Sequence, residues 1–272
     1  MEHTSNPFTA VDEPAILGPG TLNMALPLVQ AVAIRPGMRV LEVGGGTGQV
    51  ATILAKAFDV TVFTLEPWHG GEDIQARAIA AGVGDRVIAL TCKAQQLPFA
   101  ADTFDAVVSI NSFEMIGDER PAALAEMVRV ARPGARIGIA EPMCLPAAIP
   151  AEIAELDERG GLRFQQCFRT VAWNEALFEQ CGGLRVVRGY YFPEARRWWL
   201  AYEAQATQPG REVERELIRR DDGRWLSLGQ VVGQKPPVPP RQYRRAGVRV
   251  RRPGGMITCP RCRDRSIMKR TK

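Results

Sequence analysis

A chain of 272 residues, 46% of them apolar, is long enough for one sizeable core and an appendage. No window holds 18 consecutive apolar residues, which excludes a membrane-spanning helix; Met1-Glu2-His3-Thr4 has neither a basic nor an apolar leader region, so a cytoplasmic protein is expected. The net charge of +5 divides unevenly, because residues 209–272 carry 18 Lys+Arg against 6 Asp+Glu while residues 1–208 carry 17 against 24.

Residues 1–17 have weak periodicity and are expected to form a flexible arm. Gly18-Pro19-Gly20 then punctuates, and Thr21 is placed to cap a helix running to about Ala33, with Pro27 as a possible kink. Arg39-Val40-Leu41-Glu42-Val43 reads as a buried parallel strand, broken by Gly44-Gly45-Gly46-Thr47-Gly48 and followed by a helix over 49–58. Val60 to Leu65 is a second strand, ending at Glu66-Pro67-Trp68. A helix over 73–81 leads to a third strand at 86–90, and Ala106 to Ile110 makes a fourth, followed by Asn111-Ser112-Phe113-Glu114. A helix over 121–131 and the turn Arg132-Pro133-Gly134 precede a fifth strand at 137–142. Residues 143–170 are irregular apart from an acidic helix around 152–158, and Thr170 caps a helix to Cys181. Leu184 to Phe192 and Trp198 to Glu203 read as two aromatic strands closing the sheet. Beyond Pro209 a short charged helix over 212–220, a polyproline stretch at 235–240 and an Arg-rich end point to a basic, disordered tail over 208–272. Alternating strands and helices make the chain an α/β protein.

The glycine turn decides between ligand classes. Strand, glycine turn and helix form the unit that cradles nucleotides at unpaired helix-start amides. Dinucleotide enzymes space their glycines G-x-G-x-x-G, whereas this turn reads Glu42-x-Gly44-x-Gly46-x-Gly48. An acid ahead of the turn repels a pyrophosphate and suits an ammonium or sulfonium group. Glu66, about twenty residues past the glycines, suits a hydrogen bond to a ribose diol.

These residues resemble the class I S-adenosylmethionine-dependent methyltransferases, in particular the small-molecule "methyltransferase domain 11" type. Cys92-Lys93-Ala94-Gln95-Gln96-Leu97-Pro98-Phe99, with Asp102-Thr103-Phe104-Asp105 after it, and Arg132-Pro133-Gly134-Ala135-Arg136 extend the resemblance, which covers about residues 18–206. It implies a doubly wound, Rossmann-like domain over 18–207, with a mostly parallel seven-stranded sheet and an antiparallel last strand. It also implies S-adenosylmethionine as cofactor, with Gly44, Gly45, Gly46 and Gly48 around it, Glu42 by its ammonium end, and Glu66 and Pro67 by the ribose. Ala94 and Gln95 would line the adenine, Asn111 would lie beside the methyl group, and 143–170 would form a substrate lid. Lys93 departs from the pattern, since the family has there an Asp that contacts the adenine amino group. A charged lysine donates hydrogen bonds only, so adenine recognition falls to Ala94 and Gln95.

Methyl transfer is an in-line displacement that needs alignment, and a base only where the acceptor must lose a proton. Glu114 is the first candidate base, with His69 and Glu141 behind it; helix capping by Asn111 and a solvated Glu114 are the competing reading. Cys259-Pro-Arg-Cys262 is half a zinc knuckle with no second half, and Cys92, Cys144, Cys167 and Cys181 are dispersed, so no metal site is expected. The residues after the fourth strand lack an acceptor-base motif for nucleic acid, which leaves a small molecule as acceptor and weak polyanion binding for the tail. The alternative is a non-catalytic module of this fold with a nucleic-acid-binding tail.

Overall fold

The computed structural model describes residues 6–11, 18–68, 71–181 and 183–237. Within them the strands are β1 (Arg39–Val43), β2 (Thr61–Leu65), β3 (Val87–Leu90), β4 (Phe104–Ile110), β5 (Ala131–Cys144), β6 (Arg185–Tyr191) and β7 (Leu226–Gln234). They form one seven-stranded sheet in the order β3-β2-β1-β4-β5-β7-β6. The first five strands run parallel, and β7 pairs antiparallel with both β5 and β6. Strand order reverses between β1 and β4, so the crevice beyond their carboxyl ends is where this architecture binds ligands.

Helices cover both faces, as a parallel sheet of apolar strands requires. The helices are α1 (Thr21–Val32), α2 (Gln49–Phe58), α3 (Gly71–Ala80), α4 (Arg120–Val130), α5 (Ala151–Gly160), α6 (Phe164–Cys167), α7 (Val171–Gln180), α8 (Ala195–Gln205) and α9 (Glu212–Asp221). Val40 and Val62 belong to the layer packed with α1, α2 and α3, while Leu41 and Val43 belong to the layer with α4 and α7. Gly138 on β5 lets α1 approach, because a Cβ there would fall 2.7 Å from Leu28 and 2.8 Å from Val32. Thr170 caps α7, accepting the Trp173 N–H at 3.0 Å. Near the N-terminus, Phe8 is fully buried and stacks on Phe58 at 5.8 Å.

Three sequence expectations are corrected here. Trp198 to Glu203 is not a strand but part of α8: Ala195, Trp199, Tyr202 and Ala206 are all buried, and their spacing is helical. Aromatic residues favour strands only where a pleated surface awaits them. The strand that closes the sheet is β7, inside the stretch read as a disordered tail, so the folded unit runs past 207 and takes in α9 as well. Its entry turn is fixed by buried Asp221, which accepts the Trp225 N–H at 3.0 Å and the Leu226 N–H at 2.9 Å. Thr21 does not cap α1: Gly20 is the cap residue, and the Thr21 hydroxyl donates to the Gly18 carbonyl at 3.1 Å. The remainder of the polyproline and Arg-rich tail, with Cys259 and Cys262, lies outside the described residues, as do residues 1–5 and 12–17 of the arm.

Because β7 lies between β5 and β6, its loss would strip two ladders and leave β5 with an open apolar edge. A chain truncated after residue 237 should unfold cooperatively on heating, whereas one truncated after 207 should lose the transition. Thermal scans by circular dichroism check this.

Candidate functional site

The glycine turn and Glu66 are built as one unit. Gly44, Gly46 and Gly48 have φ of 82°, 52° and 75°, the region that favours glycine. The Gly44 and Gly45 N–H groups both donate to the Leu65 carbonyl at 2.9 Å. One Glu66 oxygen accepts the Gly46 N–H at 2.8 Å and the other accepts the Trp68 N–H at 2.8 Å. The carboxylate thus ties the turn after β1 to the end of β2. Gly45 and Gly48 are glycines for packing, because a Cβ would collide with the Thr64 hydroxyl or with Ile74 of α3. At Gly44 the bare backbone abuts Ser112.

Two cavities open at the carboxyl ends of the strands. The first, about 250 Å³, is lined by Gly44, Glu66, Pro67, Lys93, Ala94 and Gln95. The second, about 300 Å³, is lined by Asn111 and Glu114 together with Phe164, Phe168, Trp199 and Tyr202. Met115, largely exposed, lines both. Five expected cofactor residues therefore line the first cavity. Asn111 and Glu114 line the second instead. Glu42, Gly45, Gly46 and Gly48 line neither: Glu42 is buried behind the turn, where it accepts the Thr64 hydroxyl at 2.6 Å. The Gln95 side chain donates to Glu119 at 2.8 Å, leaning across the first cavity's rim.

Asn111 ends β4 in the left-handed region, at φ 50°. Its Nδ2 donates to the Pro19 carbonyl at 3.1 Å and to the Thr21 hydroxyl, whose own proton goes to Gly18. These partners orient the amide, leaving Oδ1 buried without a partner. Asn111 is thus not a helix cap; the cap of the turn that follows is Ser112.

Buried charge surrounds the second cavity. Glu114 is 4% exposed, and its own backbone N–H donates to Glu141 at 3.0 Å. Burial pushes the Glu114 carboxyl up to about 7 and Glu141 further above the usual range, the latter also through the neighbouring Glu114 charge. Buried Arg120 lies beside both acids, yet its donors go to the Gly117 carbonyl at 2.9 Å and the Cys167 carbonyl at 3.1 Å. Its guanidinium covers the Trp173 ring at 4.6 Å. Glu114 Oε2 and Glu141 Oε1 are left without partners. Glu141 lines neither cavity, and His69 lies outside the described residues.

Comparison with known proteins supplies the context. Residues 41–139 match the family model described as methyltransferase domain. That segment, about a third of the chain, is what resembles a methyltransferase domain. An uncharacterized Mycobacterium tuberculosis protein is 40% identical over 117 residues, covering 43% of this chain and 42% of its own length. The 27-O-demethylrifamycin SV methyltransferase of Amycolatopsis mediterranei is 31% identical over 152 residues, 55% of this chain and 56% of that enzyme. The chain thus matches less than half the length of the first relatives. Among solved structures, the [4+2]-cyclase SpnF shares the fold with a TM-score of 0.67 at 17% identity, over 79% of this chain and 81% of that one.

Sequence reasoning missed part of the second cavity. Trp199 and Tyr202 lie on a helix read as a strand, and Arg211 and Glu214, at and after the start of α9, lie in the presumed tail. The available signals were the helical spacing of 195, 199, 202 and 206 and the apolar stripe Val213, Leu217, Ile218.

Glu42 gives the domain a measurable pH signature. Burial pushes its carboxyl from 4.5 up to about 7. Between those values the unfolded chain is ionised while the folded chain keeps the proton, so stability falls as pH rises through this window. Glu42→Gln, which has no proton to lose, should remove about 2–3 kcal/mol of that decline, the remainder belonging to Glu114 and Glu141. Urea unfolding of both proteins at pH 5 and pH 7.5 measures it.

Proposed function

We propose that the chain transfers a methyl group from S-adenosylmethionine to a small-molecule acceptor, with the nucleoside end of the donor in the first cavity and the acceptor in the second. The observation that carries this reading is the pair of cavities that share Met115 in their linings, one holding the strand-end acid Glu66 and the other an unpartnered carboxylate, Glu114. The residues fit such a donor. Glu66 already accepts two N–H groups, but a carboxylate has about four acceptor sites, so ribose hydroxyls can still donate to it. Pro67 and Ala94 offer apolar walls for a purine, and Gly44 leaves no Cβ between turn and ligand.

Bound there, S-adenosylmethionine supplies an activated sulfonium methyl, and the chain's task is to align the acceptor with it. The Asn111 Oδ1 accepts a hydrogen bond from whatever polar group comes to the end of β4. Glu114 takes the proton that the acceptor loses, and its raised affinity for protons matches it to that role near neutral pH. Arg120, stacked over Trp173, lies near the acid pair and offsets part of its charge. Lys93 stays at the rim, and adenine is held through Ala94 and Gln95. The other reading, a non-catalytic module with a nucleic-acid-binding tail, draws on residues beyond those described.

Isothermal titration with S-adenosylhomocysteine should show one site saturating below millimolar ligand. Glu66→Gln, which keeps one acceptor oxygen, should weaken it by at least about tenfold, or 1.4 kcal/mol. No heat at millimolar ligand from a folded wild-type chain would overturn the assignment.

A further inference from the structure

The charge inventory of the second cavity says what kind of acceptor it suits. Its walls are aromatic: Phe164 stacks on Phe168 at 4.5 Å, Trp199 lies 6.0 Å from each, and Tyr202 meets Trp199 edge-on at 6.1 Å. Three charged residues reach the cavity, Glu114, Arg211 and Glu214. The last two neutralise each other, with Arg211 Nε donating to Glu214 at 2.7 Å and the Tyr202 hydroxyl donating to the same acid at 3.3 Å. Arg211 also packs over the Tyr202 ring at 5.2 Å. It is therefore not free to hold an anion.

Arg120 and Arg169, the cations behind the wall, spend the donors they direct inward on backbone carbonyls, Arg169 donating to Gln165 at 3.0 Å and to Phe168 at 3.1 Å. That leaves Glu114, nine-tenths and more buried, with one oxygen unpartnered at the cavity wall. A cavity lined by aromatic rings and one unpaired carboxylate attracts cations and repels carboxylates.

Resting on the methyl-transfer reading, we propose that the acceptor is a protonated amine carried on a flat apolar body, held by the aromatic walls with its nitrogen at Glu114. The step balances. The ammonium gives a proton to the Glu114 carboxylate, and the freed nitrogen lone pair forms a bond to the methyl carbon. In the same step the carbon–sulfur bond breaks with its electron pair left on sulfur, which loses its positive charge while the nitrogen regains one. Recognition and deprotonation are thus the work of one side chain.

Two probe series test this on the full chain, with and without saturating S-adenosylhomocysteine. Each series holds the body constant and changes the end group: 2-phenylethylamine, 2-phenylethanol and 3-phenylpropionate, then tryptamine, indole-3-ethanol and indole-3-propionate. Titration calorimetry should show the amine binding at least about tenfold more tightly than the alcohol in one or both series, and the acid not binding. Glu114→Gln should bring the amine to the affinity of the alcohol, while an unchanged thermal midpoint shows that the fold is kept. Equal or tighter binding of alcohol or acid, an amine preference that survives Glu114→Gln, or no binding of either series at millimolar concentration would each overturn the proposal. The arm without S-adenosylhomocysteine separates this failure from failure of the donor assignment, because nucleoside binding is read independently.

Discussion

Four carboxylates are taken out of water at one edge of this sheet: Glu42 on β1, Glu66 after β2, Glu114 after β4 and Glu141 on β5. Desolvating a carboxylate costs several kcal/mol unless partners replace its water, and the replacement here is incomplete. Glu42 has the Thr64 hydroxyl, Glu141 has the Glu114 N–H, and both Glu114 and Glu141 keep an unpartnered oxygen. A single buried guanidinium, Arg120, lies close to the latter pair without forming an ion pair with either. A sequence under pressure for stability alone would replace such groups with apolar ones. Their clustering at the carboxyl ends of the strands marks this edge as the candidate ligand site.

The same edge is organised by short backbone-directed contacts. Glu66 clamps the glycine turn through Gly46 and Trp68, so the turn cannot shift without moving the end of β2. Asn111 ties β4 to the segment ahead of α1 through Pro19 and Thr21. The Glu66–Gly46 contact and both Asn111 contacts cross between elements far apart in sequence but adjacent at the edge. The first cavity thus rests on a rigid frame, which is what positioning of a reactive group demands.

The parallel half of the fold was legible because its signals are local. Apolar runs at β1, β2 and β4, the glycine spacing, and Glu66 at the end of its strand all follow from residue type and short spacing. What those residues touch was not legible. Glu42 has the right type and strand, yet it faces Thr64 behind the turn instead of lining the cavity, since strand alternation fixes a face but not what covers it. Tertiary context also overrode local preference at α8, where a run of tryptophans and a tyrosine looks like strand until its four buried residues are counted round a helix. β7 escaped notice for the opposite reason. Gly229, Gly233, Gln230 and Gln234 dilute its hydrophobicity, although every residue from Leu226 to Gly233 is buried between two partner strands.

The division of labour explains why the family signal stops where it does. The matched segment, residues 41–139, ends inside β5, before any of the aromatic side chains of the second cavity. The segment ahead of that point builds the turn, the strand-end acid and the floor of the first cavity. Phe164, Trp199 and Tyr202 come from later helices and Phe168 from the residue that ends α6, and α8 packs against both α9 and β7. Of the charged groups at that cavity only Glu114 precedes the end of the match, and it is also the one left unpaired. The frame of the first cavity is thus encoded in the early, periodic part of the chain. The walls of the second are encoded in how later segments fold back over a single early carboxylate, and short-range patterns carry little of that information.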